Sequence, residues 1–174
     1  VTLLKKYLEG LGLRIFYFYA GEQGRKLAAL DTLVGHWVKD IMARGDFFDD
    51  WLAIYSWFNV LKDELKNRDD VVIFDGTPRR IYEAQVVDKL MKELGRSIAL
   101  PIHIDVFEDT CRQRLLVRKR ADDDLVAINS RLALFETAVR PVLNWYGDRV
   151  ITVNGEGAIE EVNKLMMEAL TQLP

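Results

Sequence analysis

The stretch VVIFDGTPRR, Val71 to Arg80, decides how this chain is read. Four consecutive apolar residues, Val71 to Phe74, run straight into Asp75, and Gly76, Thr77, Pro78, Arg79 and Arg80 follow. A continuous apolar run bounded by Gly and Pro predicts a strand buried on both faces of a parallel sheet. Open sheets of this kind bind ligands just beyond the carboxyl ends of their strands. Asp75 therefore stands where a metal-bound phosphate needs a carboxylate, and Arg79 where a phosphate needs a guanidinium. A strand followed by a solvated turn is the plainer alternative.

Outward from this stretch, RIFYFYAG (Arg14 to Gly21) predicts a second buried strand, rich in aromatics. Before it, Leu3, Leu4, Tyr7, Leu8 and Leu11 are spaced as one face of a helix. Leu27 to Arg44 carries a helical apolar pattern that Gly45 closes. A further helix starts at Asp49 or Asp50 and runs to about Lys66. Ile81 to Leu94 predicts a helix, Ile98 to Val106 a strand with Pro101 near its start, and Asp109 to Lys119 and Asp123 to Tyr146 two more helices. Arg149 to Gly155 is the last strand and Ala158 to Leu170 the closing helix. Strands alternating with helices imply βαβ units, a parallel sheet and helices on both faces. Four strands are visible. The first helix has no cap ahead of its apolar face and the sequence has no initiator Met, so a fifth strand is expected before Val1. The helical pair from about Arg25 to Lys66 is a candidate mobile subdomain.

A chain of 174 residues fits one domain with a core of its own. The net charge of −3 argues against nucleic-acid binding, which calls for a broad basic excess. Yet Arg112, Arg114, Arg118, Arg120, Arg131 and Arg140 crowd one window, as expected of an acidic protein that holds a small, highly charged anion. A single cysteine, Cys111, leaves no internal disulfide framework and fits a reducing compartment; nothing marks it as a nucleophile. No apolar run is long enough to cross a bilayer, so no membrane partner is expected and a cytoplasmic location is the default. His36 and His103 lack metal-ligand spacing and read as core or surface residues. Arg112, Arg140 and Arg149 read as solvated or structural cations. Trp51, Tyr55, Trp57 and Phe58 read as helix packing. Phe47 and Phe48, in the loop between the two inserted helices, are better placed to touch a ligand base.

The order of these motifs resembles the adenylate kinase family of nucleoside monophosphate kinases along essentially the whole chain. DGTPRR is similar to that family's DGFPRT, and YAGEQGRKL to its STGDLLR segment, with Gly21 and Arg25 in matching places. RQRLLVRKRADDD followed by SRL resembles the lid and its flanks, and VNGEG the loop after the last strand. The resemblance implies a P-loop NTPase-like three-layer α/β/α fold with a mostly parallel central sheet. Its core would span residues 1–24, 67–117 and 125–174, with a helical insert at 25–66 and a very short lid at 118–124. It implies transfer of the γ-phosphoryl of Mg-ATP to a nucleoside monophosphate, most simply AMP, by a monomer. Gly21, Arg25, Phe47, Phe48, Gly76, Arg79 and Glu83 would bind the acceptor, with Arg25 and Arg79 on its α-phosphate. Arg118, Arg120 and Arg131 would act on the transferring phosphates, where charge develops. Arg114 would stack on the donor adenine, and Arg118, Asn154, Gly155 and Gly157 would complete the ATP site. Asp75 would hold waters on Mg²⁺. Asp122 and Asp123 would pair with lid arginines, while one of Asp122, Asp123 and Asp124 caps the helix that follows.

The sequence departs from the family pattern in three places. The GxxxxGK[ST] phosphate loop is absent from Val1 to Pro174, and its place is expected before Val1; a chain lacking it altogether is expected to have negligible kinase activity. Glu83 stands where the family presents an adenine-reading Gln, so the acceptor base is open. Only Lys119 separates Arg118 from Arg120, which leaves no room for the zinc-binding insertion of long-lid members, and no zinc is expected. A thymidylate-type or UMP/CMP kinase, and a nucleotide-binding module without catalysis, are the rival readings.

Overall fold

In the computed structural model, residues 1–118, 120 and 124–172 are described. Helix α1 (Thr2–Gly10) leads into strand β1 (Ile15–Tyr19), and β1 pairs in parallel with β2 (Val71–Asp75), Ile15 opposite Val71 and Tyr19 opposite Asp75. Between them lie α2 (Ala20–Ala28), α3 (Leu33–Arg44) and α4 (Asp50–Glu64). After β2 come α5 (Ile81–Glu93), β3 (Ile102–Asp105), α6 (Glu108–Arg118) and α7 (Leu125–Leu134). A π-helical turn (Phe135–Val139), α8 (Arg140–Tyr146), a 3₁₀ turn (Gly147–Arg149), β4 (Ile151–Asn154) and α9 (Ile159–Thr171) complete the order. β3 and β4 form a second parallel pair. Every strand pairing is therefore parallel, but among the described residues the four strands make two ladders of two. β2 is half-buried along its length, less than its apolar run predicts, because among the described residues just one of its edges is paired.

Four elements depart from their sequence reading for physical reasons. The first strand stops at Tyr19, and Ala20 already begins α2. The single helical pattern read over 27–44 breaks at Thr32, whose hydroxyl accepts from Gly35 N at 3.1 Å and starts α3. The strand read over 98–106 is paired only from Ile102; Pro101 has no N–H to give, although its carbonyl accepts from Ile151 N at 2.9 Å. The helix read over 123–146 is interrupted as well. Pro141 lacks an N–H, and its ring crowds the carbonyl four residues back, so the chain takes a π turn before α8. Asp124 caps α7, accepting from Ala127 N at 2.8 Å; Asp122 and Asp123 lie outside the described residues.

Alternation along β1 and β2 sends Phe16, Phe18, Val72 and Phe74 to one face, where they meet Trp57 and Leu61 of α4 and Val87 and Met91 of α5. Trp57, 1% exposed, packs edge-on against Phe74. The opposite face sends Ile73 to a second cluster with Leu4 of α1, Val153 of β4 and Met166 of α9. That shared cluster ties the two ladders together. The aromatics read as packing divide: Trp57 is core, whereas Trp51, Tyr55 and Phe58 are 60%, 57% and 45% exposed, and Trp51 stacks on Trp37 of α3 at the surface. Among the described residues, no helix is long and apolar enough to cross a membrane.

Candidate active site

The carboxyl ends of β1 and β2 lie side by side, and a cavity of about 210 Å³ opens beside them. Arg25, Arg79, Arg118, Arg120 and Arg131 all line it. They come from α2, the loop after β2, the end of α6, the following segment and α7, so residues more than a hundred positions apart share one small hollow. Gly21, Phe48, Gly76 and Glu83 line the same cavity. Phe47 sits at its margin with its ring centroid 4.4 Å from the Arg79 guanidinium.

The DGTPR loop is built to present Arg79. Gly76 has a left-handed φ of 74°, which L side chains rarely adopt, and a Cβ there would come within 3.2 Å of Arg79 Nη2. Arg79 Nε donates to Gly76 O at 2.7 Å. The residue keeps part of its surface open, yet protein atoms crowd its guanidinium, and this burial lowers its pKa, with Arg131 adding like-charge repulsion. An arginine so placed remains a cation with poor hydration, which favours an anion arriving in the cavity.

Glu83 has a task that its place in the sequence did not suggest. It is 2% exposed; Oε1 accepts from the Thr77 hydroxyl and Oε2 from Arg79 N at 2.7 Å. The carboxylate thus clamps the loop that carries Arg79, and burial raises its pKa. Asp75 ends β2 half-buried, and its Oδ2 accepts from the Tyr17 hydroxyl at 2.7 Å. That phenol is pushed above its usual range, first by burial and then by the bond to Asp75. A lone carboxylate suits Mg²⁺, which keeps most of its waters and takes one or two carboxylates. Among the described residues no cluster of three or more His, Cys, Asp or Glu is placed to hold a metal.

The predicted donor-side residues divide: Arg118 lines this cavity, whereas Arg114, Asn154, Gly155 and Gly157 gather elsewhere, at the loop after β4. Arg114 donates to the carbonyls of Gly155, Glu156 and Gly157 at 2.7, 3.1 and 3.3 Å. Asn154 Oδ1 accepts from Glu156 N at 2.9 Å. The edge of the guanidinium is committed to the loop, which leaves its planar faces as the surface for stacking. Arg112, Arg140 and Arg149 pair with Glu108 and Asp109, with Glu136 and with Asp88, as structural cations do.

Tyr19 was missed. It lines the cavity, and its hydroxyl accepts from Arg120 Nη1 at 2.7 Å. Applying the strand-end rule to β1 as well as to β2 would have found it, since Tyr19 is the register partner of Asp75. Met42, Asp46 and Ser56 from the helical insert also line the cavity without any sequence signal.

An arginine-lined cavity at the carboxyl ends of parallel strands, with a carboxylate beside it, defines the class: an α/β protein with an anion-binding site at its strand ends. Comparison with known proteins narrows it. A family-wide sequence profile described as Adenylate kinase matches residues 13–151, well over half the chain. The adenylate kinase of Parabacteroides distasonis is 32% identical over 149 residues, covering 82% of this chain and 77% of its own. Those of Corynebacterium glutamicum strain R and Corynebacterium diphtheriae are each 34% identical, over 98 and 113 residues. These matches cover 56% and 64% of this chain and 54% and 62% of the relatives, so the chain spans little more than half the length of these two. The chain belongs to the adenylate kinase family.

Proposed function

We propose that the protein is a nucleoside monophosphate kinase that transfers the γ-phosphoryl of Mg-ATP to AMP. The observation that carries this reading is the convergence of five arginines, from separate segments, on one anion-sized cavity at the strand ends. Two nucleotides bring many negative oxygens together, and planar, permanently charged guanidiniums neutralise them with directed hydrogen bonds. Arg25 and Arg79 hold the acceptor's phosphate, with Gly21 and Gly76 giving room and Phe47 and Phe48 beside the base. Arg118, Arg120 and Arg131 stabilise the charge that develops on the transferred group. Arg114, Asn154, Gly155 and Gly157 form the donor's base side. Asp75 is the residue that would hold Mg²⁺ through its water shell, and the ion would supply charge neutralisation to the phosphates. No covalent intermediate is needed, because positioning and electrostatics supply the catalysis.

Residues 1–24, 67–117 and 125–174 act as the core, 25–66 as the acceptor-binding insert and 118–124 as the lid. Each chain works as a monomer, since all five arginines belong to it. Glu83's commitment to the loop favours an acceptor base selected by shape between Met42 and Phe48, so UMP, CMP and GMP belong in the substrate panel with AMP. The decisive test replaces Arg79 with Ala in the intact protein. Catalytic efficiency with AMP is expected to fall by about a hundredfold or more, as for loss of a charged, buried phosphate contact, while thermal unfolding stays cooperative. Near-normal kinetics would refute the assignment.

A further inference from the structure

Tyr19 ends β1 and turns its side chain into the cavity. Its hydroxyl accepts from Arg120 Nη1 at 2.7 Å, across 101 positions of sequence. The guanidinium carbons of Arg25 and Arg120 lie 5.4 and 5.9 Å from its ring centroid. One phenol therefore touches cations from two walls of the cavity, α2 and the segment after α6. Two guanidiniums repel at short range; a ring face attracts both, and the phenol oxygen fixes the direction of one. Gly21 makes this possible, because a Cβ there would come within 3.0 Å of the Tyr19 hydroxyl.

We propose that Tyr19 is a positioning residue of the cavity, holding Arg25 and Arg120 at a common point so that an incoming phosphate meets both charges already in place. This rests on the kinase reading for the identity of the phosphate, but not for the geometry. Tyr19 acts through the two guanidiniums it touches. Around it stand Arg25 from α2, Arg79 from the loop after β2, Arg120, and Tyr17 on its own strand; Arg118 and Arg131 line the same cavity. Burial raises the Tyr19 pKa, but the contacts from Arg120 and Arg25 outweigh it and the net shift is downward.

Tyr19→Phe in the intact protein keeps the ring and removes the oxygen. The expected result is a fall of about tenfold in kcat with the KM for AMP nearly unchanged, because Arg120 loses its bond to the phenol while Arg25 and Arg79 still bind the acceptor. An unchanged kcat would overturn the proposal, and so would a kcat loss matched by a lower unfolding midpoint. A second measurement does not need turnover. Ultraviolet difference titration of wild type against Tyr19→Phe reads the Tyr19 phenol directly. It is expected to ionise below the ordinary tyrosine value of about 10, and to move upward in Arg120→Gln. A phenol at or above the ordinary value, indifferent to Arg120, sinks the proposal even if the kinase is active. A wild-type protein with no AMP turnover would sink the kinase reading instead, and the titration would still decide the role of Tyr19.

Discussion

Glu83 carries one carboxylate against an N–H and an O–H of the same loop, and burial shifts its pKa upward. The folded protein therefore keeps a proton that the unfolded chain has released, over the window from the ordinary value of 4.5 up to the raised one. In that window the native state binds more protons, so stability falls as pH rises and levels off above the folded pKa. Glu83→Gln removes the titrating proton, keeps an acceptor for Arg79 N–H and lets the Thr77 hydroxyl turn to accept. Urea unfolding of this variant at a series of pH values is expected to lose that slope; an unaltered slope would place the titration on another group. Glu83→Ala strips the loop of both bonds and is expected to cost about 1–3 kcal/mol. Arg79 and Asp75 were legible in the sequence because each sits at a strand end beside Gly and Pro. Tyr19 was not, since an aromatic in the run IFYFY is what any strand favours. Glu83 was noticed, but as a reader of bases; its clamp on the loop depends on a turn of the backbone that no spacing rule encodes.

At the scale of elements, Gly45 links the helical insert to the helix that carries Arg131. It ends α3 with φ of 74°, and a Cβ would stand 2.4 Å from the carbonyl oxygen of Ala127 in α7. Its role as a helix terminator could be read from the sequence; its second role, letting two helices touch backbone to backbone, could not. Gly45→Ala is expected to cost about 1–2 kcal/mol from the left-handed φ alone, with the clash adding to it. Chemical denaturation measures this, and a wild-type midpoint would show that α3 and α7 part without penalty. Pro141 teaches the reverse lesson. Apolar periodicity ran through it unbroken, yet the missing N–H forces the π turn at Phe135–Val139. The pattern read over 27–44 took in only the end of α2 together with α3, because the break between them is made by a cap, Thr32, and by backbone geometry, not by a loss of apolar residues.

At the scale of the whole molecule, an acidic protein with net charge −3 gathers five arginines around a cavity of about 210 Å³. Such a local field is screened by salt, whereas contacts of shape are not. The KM for AMP is therefore expected to rise steadily as KCl is increased, with thermal stability little changed; a salt-independent KM would mean that the arginines do not bind the acceptor's phosphate. The alternation of helix and strand, the parallel pairing and the residue types of a phosphate site are local properties, written in runs of side chains and their spacing, and the sequence alone determined them. Which oxygen each arginine meets, how the strands divide into two ladders, and where the Tyr19 hydroxyl and the Glu83 carboxylate point were decided by the tertiary structure. The reason is physical: a guanidinium's partner is whatever the folded chain brings within about 3 Å of it, and that distance is set by packing between segments far apart in sequence.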